Sequence, residues 1–270
     1  MARLLNPELL YKLKEGEFRE ILKYVNTDPE LSLEIRTASV AMVYYKKSKV
    51  LSLYSRRKEP KILSEGYWKT EEQPIIDLQK PEDFFICTKA LVDNHKKKNV
   101  EFSIQQKILA DNNSDKNQFL VIDMEYQFAQ NIIKERTKEK TRFDLIAIDL
   151  KNNKIVLFEL KQGFASSEGK SGVTDHLSKF AEHINHLEFS KNLILDIKNI
   201  IEQKVVLGIY NFDSTSIVQR LDKAIVEFLI VFASNDQHEK LRYQQKYGNV
   251  HKTLFLDLSD SIYQLRADEL

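Results

Sequence analysis

The sequence predicts an α/β protein. A mixed central sheet flanked by helices fills residues 99–270, and a smaller α+β domain, a helix plus an antiparallel meander, precedes it over residues 1–98. Three observations predict this. Beyond residue 100, segments with helical spacing alternate with short apolar runs, the order that builds a layered sheet. Two of those runs, 145–148 and 155–158, are apolar without a break, as in strands covered on both faces. Upstream, three short runs rich in Val, Tyr and Leu follow a helix within the first 54 residues.

Taken in order, residues 1–24 read as one helix. Its apolar stripe is Leu4, Leu9, Leu10, Leu13, Phe18, Ile21 and Leu22, and Asn6-Pro7 makes a good entry. Runs 31–36, 39–45 and 49–54 form the meander. Tyr44, Tyr45, Tyr54, Tyr67 and Trp68, interleaved with Lys and Arg, read as sheet and core residues ahead of base-stacking ones. Segments 81–97 and 101–111 look helical, and Cys87 beside Phe84, Phe85 and Ile86 reads as a core thiol. In 118–128 polar Asp123, Glu125 and Gln127 alternate with Ile122, Met124, Tyr126 and Phe128, which gives a strand; helical spacing is the alternative. Residues 142–163 form a hairpin, 162–172 a small, polar, Gly-rich loop, and 173–187 and 190–203 helices. Strands at 204–210 and 224–233, a polar helix at 237–247 and a closing strand at 252–258 complete the chain.

The hairpin carries charges that a structural hairpin would avoid: Asp144, Glu159 and Lys161. A two-residue turn at Asn152-Asn153 would pair Lys151 with Lys154, Ile146 with Glu159 and Asp144 with Lys161. Paired residues share a face, so all three charges lie together, with Asp144 and Glu159 diagonal at about 7–8 Å between backbones. A turn of another length would change the register. A solvated face is the plainer account of a bare Glu-x-Lys. Against it, a Glu beside such an apolar run costs several kcal/mol to desolvate unless paired or metal-bound. Two carboxylates and a lysine suit a divalent cation and phosphodiester chemistry.

Asp144 followed by Glu159-Leu160-Lys161 across a hairpin resembles the PD-(D/E)XK nuclease superfamily, over about residues 100–260. Phe143 stands where the family name has Pro, and Gln162 extends the motif to Glu-Leu-Lys-Gln, a form seen in some members. The resemblance implies a restriction-endonuclease-like core and Mg²⁺-dependent (or Mn²⁺-dependent) cleavage of nucleic acid, DNA first. Asp144, Glu159 and the Leu160 carbonyl would hold the ion, with Glu125 as a further acidic ligand. Lys161 would orient or deprotonate the attacking water, and Gln162 would belong to the catalytic set. Lys170 and Ser171 in the loop, His176 at the following helix start and Arg142 are the expected nucleic-acid contacts. Members often act as a homodimer. A non-catalytic nucleic-acid- or protein-binding module on the same scaffold is the alternative.

Other features are bounded more simply. Gly169-Lys170-Ser171 is no phosphate-binding P-loop, because position 164 is Phe where Gly is required. His183 and His186 have ligand-like spacing but no third ligand nearby. Runs 46–49, 56–58, 95–98 and 134–142 are basic, the last with five basic and two acidic residues, and they read as solvated faces or a phosphate-contacting rim. The 270 residues are 42% hydrophobic and 30% charged, with net charge +1, few Gly or Pro and one Cys. That composition suits a soluble cytoplasmic protein without a disulfide, with no membrane partner and salt-dependent nucleic-acid affinity.

Overall fold

The computed structural model describes residues 3–46, 48–62, 75–95, 100–127, 142–184 and 187–267. Two compact units emerge: Met1–Gln106 with Asn199–Asn211, and Lys107–Lys198 with Phe212–Leu270. The basic run 134–141, Tyr67, Trp68 and His186 lie outside the described residues.

In the first unit, the expected single N-terminal helix is two, α1 (Pro7–Lys14) and α2 (Arg19–Thr27). Asn6 caps α1 by accepting from Leu9 N–H. The chain turns after Lys14, and both Glu15 and Gly16 donate to the Tyr11 carbonyl. A Cβ at Gly16 would lie 2.8 Å from Lys12 Cα, so only Gly permits this turn. Strands β1 (Leu31–Arg36), β2 (Val40–Tyr45), β3 (Ser48–Tyr54) and β4 (Lys61–Ile62) form an antiparallel sheet in sequence order. Tyr44 and Tyr45 are core residues. Helix α3 (Glu82–His95) buries Phe84, Phe85, Thr88 and Val92. The same period turns Cys87 outward, so it is exposed and not the expected core thiol.

Helices α4 (Val100–Asp111) and α6 (Leu187–Val206) each run through a unit boundary. The strand expected at 204–210 is absent. Lys204 to Val206 still belong to α6, and Gly208, at φ +69°, ends it while Ile209 and Tyr210 donate to the Lys204 carbonyl. A left-handed glycine closing a helix explains how an apolar run ends without becoming a strand.

The second unit is a five-stranded mixed sheet of β5 (Phe119–Gln127), β6 (Arg142–Asp149), β7 (Lys154–Gln162), β8 (Ile225–Ala233) and β9 (Thr253–Leu256), in that order. The first three strands are antiparallel and the last three parallel. One face is covered by α5 (Val173–Ile184) and α8 (Gln237–Tyr247), with Phe180 stacked on Phe228 at 4.9 Å and Phe232 against Tyr243 at 4.3 Å. The other face meets α6, where Phe143 packs on Phe189 and the Tyr126 hydroxyl donates to Asp196. Short α7 (Thr215–Arg220) leads into β8. Among the described residues no helix is long and apolar enough to cross a membrane.

The hairpin register differs from the expected one. Asp149 pairs with Lys154, and the ladder runs to Leu145 with Phe158, so Asp144 stands level with Glu159 and not with Lys161. The turn is four residues long because the Asp149 carboxylate caps it, accepting from Lys151 N–H, Asn152 N–H and the Asn152 amide. Asn153 supplies the left-handed corner at φ +53°. A slip of two residues changes each side chain's neighbour but not its face.

Candidate active site

Asp144, Glu159 and Lys161 lie on the α5 face of the sheet and are only 9%, 6% and 5% exposed. Buried charges persist only when paired and hydrogen-bonded, and these are. The β6–β7 ladder stops at Leu145, and there the Asp144 carboxylate accepts the Leu160 N–H at 2.9 Å in place of a backbone carbonyl. On a strand the N–H and C=O of one residue point the same way. The Leu160 carbonyl is therefore directed toward the side on which Asp144 stands. Lys161 Nζ donates to Glu159 Oε1 at 2.8 Å and to the Ser171 carbonyl at 2.7 Å.

His176, in the first turn of α5, brings Nε2 to 3.1 Å from Glu159 Oε1. Burial, then the positive charges of Lys161 and Lys179, push its pKa down to about 4. A neutral ring facing an acceptor-only carboxylate carries its proton on Nε2. The unfolded imidazole takes a proton near 6.5, the folded one only near 4. Between those values the unfolded state binds more protons, so this contribution is complete above about pH 6.5 and is lost as pH falls toward 4. In EDTA, urea midpoints should show His176→Gln losing less stability than wild type over that window, by up to about 2–3 kcal/mol.

The loop after β7 is built tightly. Gly163 has φ +68°, and Phe164–Ser167 form a 3-10 turn. From α8, the Tyr247 hydroxyl donates to the Ser167 carbonyl at 3.1 Å, Lys246 pairs with Glu168, and the Arg242 guanidinium lies 4.0 Å from the Phe164 ring centre. These contacts carry no sequence signal, since α8 lies some 70–80 residues downstream of the loop. A Cβ at Gly172 would stand 2.7 Å from the Ser167 oxygen, 2.8 Å from the Glu168 carbonyl carbon and 3.0 Å from the Gly169 oxygen. Thermal unfolding of Gly172→Ala should show a loss of about 1–3 kcal/mol, since backbone must move to admit the methyl group.

The other expected residues fall as follows. Glu125 is level with Asp144, between the pairs Met124–Leu145 and Tyr126–Phe143. It is left-handed at φ +56°, and its carboxylate pairs with the Arg142 guanidinium. Arg142 and Glu125 therefore meet each other at the end of β5 and β6. Gln162 alternates onto the α6 face, away from Lys161. Lys170 and Ser171 are exposed in the loop. His183 is a buried core residue, with Nδ1 2.7 Å from the Lys179 carbonyl and its ring edge-on to Phe143 and Phe189.

Among the described residues no three His, Cys, Asp or Glu side chains converge on a point suited to a metal ion. The protein donors available to one are two adjacent buried carboxylates, Asp144 and Glu159, beside a carbonyl-bearing strand. That oxygen-only set fits a hard divalent ion such as Mg²⁺, which keeps several waters and uses one or two carboxylates. No protein-family model, no curated protein and no solved structure matches this chain.

Proposed function

We propose that this protein is a metal-dependent phosphodiesterase acting on nucleic acid, DNA first, with a restriction-endonuclease-like arrangement of its sheet. One observation carries the reading: Asp144, Glu159 and Lys161 are buried together on one sheet face where the β6–β7 ladder opens. Asp144, Glu159 and the Leu160 carbonyl are the donors for Mg²⁺ or Mn²⁺. Such an ion polarises a phosphoryl oxygen and lowers the pKa of a bound water. Lys161, steadied by the Ser171 carbonyl, holds a positive charge where the attacked phosphate gains negative charge. Lys170 and Ser171, exposed in the loop before α5, would supply contacts to phosphate oxygens. Glu125 is held by Arg142 through Oε2 and would be a further ligand beside Asp144.

The test is a cleavage screen on labelled single- and double-stranded DNA and RNA with Mg²⁺ or Mn²⁺. The reading expects cleavage that EDTA abolishes and the ion restores. Cleavage that persists in EDTA would refute it. A second reading, a binding module without catalysis, is favoured by the way Lys161 and His176 already satisfy Glu159 Oε1. It expects nucleic-acid binding with no calorimetric heat from Mg²⁺ or Mn²⁺.

A further inference from the structure

We infer that His176 is a positioning residue for Glu159, and that the turn from Ser171 to His176 is a clip holding both members of the Glu159–Lys161 pair. The inference rests on the phosphodiesterase reading. Its geometry is local and specific. The Ser171 carbonyl takes Lys161 Nζ at 2.7 Å, while five residues on His176 Nε2 reaches Glu159 Oε1 at 3.1 Å. Between them stands Gly172, whose carbonyl accepts the His176 N–H at 3.2 Å and which has no room for a side chain. Ser171 is itself left-handed, at φ +67°. One turn, with one glycine, therefore fixes an acceptor for the lysine and a donor for the carboxylate.

Lys161 and His176 approach the same oxygen of Glu159. Of these two donors the imidazole orients the carboxylate without the ammonium charge by which Lys161 opposes an incoming ion, and that orientation is what a metal-ligating carboxylate needs before the ion arrives. Partners of this kind typically change metal affinity or activity by about 10–100-fold when removed. His176 thus acts through Glu159 and need not touch the substrate.

The experiment compares the wild-type chain with His176→Gln and His176→Asn. A Gln amide nitrogen can take the place of Nε2, whereas the shorter Asn side chain falls short of Glu159, and both keep the position polar. Mn²⁺ binding is read by calorimetry, and kcat and KM by cleavage at saturating ion. The expected result is a Kd for Mn²⁺ raised about 10–100-fold in His176→Asn and within about threefold of wild type in His176→Gln. Cleavage should follow the same order, through kcat with KM unchanged. Equal Mn²⁺ affinity in all three proteins would overturn the inference while leaving the wild-type activity, and so the functional reading, intact. So would a rise in KM alone, which would make His176 a substrate contact. A wild-type protein that neither binds Mn²⁺ nor cleaves would remove the functional reading and this inference with it.

Discussion

Glu159→Gln is expected to lower ion-dependent cleavage about a thousandfold or more, equivalent to about 4 kcal/mol of transition-state stabilisation. Asp144→Asn should do the same. Neither amide offers the charge that an ion requires at this position. The stability effects differ between the two sites. Glu159→Gln leaves the Lys161 ammonium, 5% exposed, without its carboxylate. Unpairing a buried charge is costly, so the double variant Glu159→Gln/Lys161→Met should regain stability without regaining activity. Lys161→Met alone should show a split result. Cleavage falls, while Mn²⁺ binds more tightly, because a cation no longer competes for Glu159 Oε1. Calorimetry beside the cleavage assay checks this, and Lys161→Met cleaving at the wild-type rate would count against the assigned role.

Lys204→Met should destabilise the first unit by about 3–5 kcal/mol, the cost of breaking a buried ion pair from one side. Lys204 Nζ lies 2.9 Å from Glu34 Oε2, and the two side chains are 2% and 1% exposed. Glu34 belongs to the interior of β1, paired with Met42. Lys204 also stands 5.5 Å from the Tyr210 ring centre, and its carbonyl closes α6. The urea midpoint of Lys204→Met should fall sharply, and Glu34→Leu/Lys204→Met should recover most of the loss, since replacing both members takes both charges out of the interior. A single variant as stable as wild type would show that the pair is not held as described. Activity should track folded protein only.

Much of the fold was legible where structure is local. The hairpin strands announce themselves as unbroken apolar runs, and β5 by its alternation; α8 begins and ends where the polar helical pattern does. The features that were not legible have identifiable causes. Asp149 caps the turn through its side chain, so Asn152-Asn153 reads as a two-residue corner while the turn is longer. Residues 204–210 read as a strand because nothing in a short apolar run distinguishes it from the end of a long helix. Cys87 has apolar neighbours in sequence, but its helix turns Phe84 and Phe85 inward and leaves Ile86 and Cys87 exposed.

For the candidate site the division is similar. That Asp144 shares a face with Glu159 and Lys161 was read from a two-residue turn; the actual four-residue turn shifts the register by two residues, an even number, and so keeps the same face. What each charge meets was decided only by the tertiary structure. Lys161 is satisfied by a loop carbonyl, Glu159 by a histidine on the next helix and Glu125 by Arg142 across the ladder. Such partnerships depend on a glycine turn, a left-handed strand residue and the closeness of distant segments, and no local periodicity encodes them.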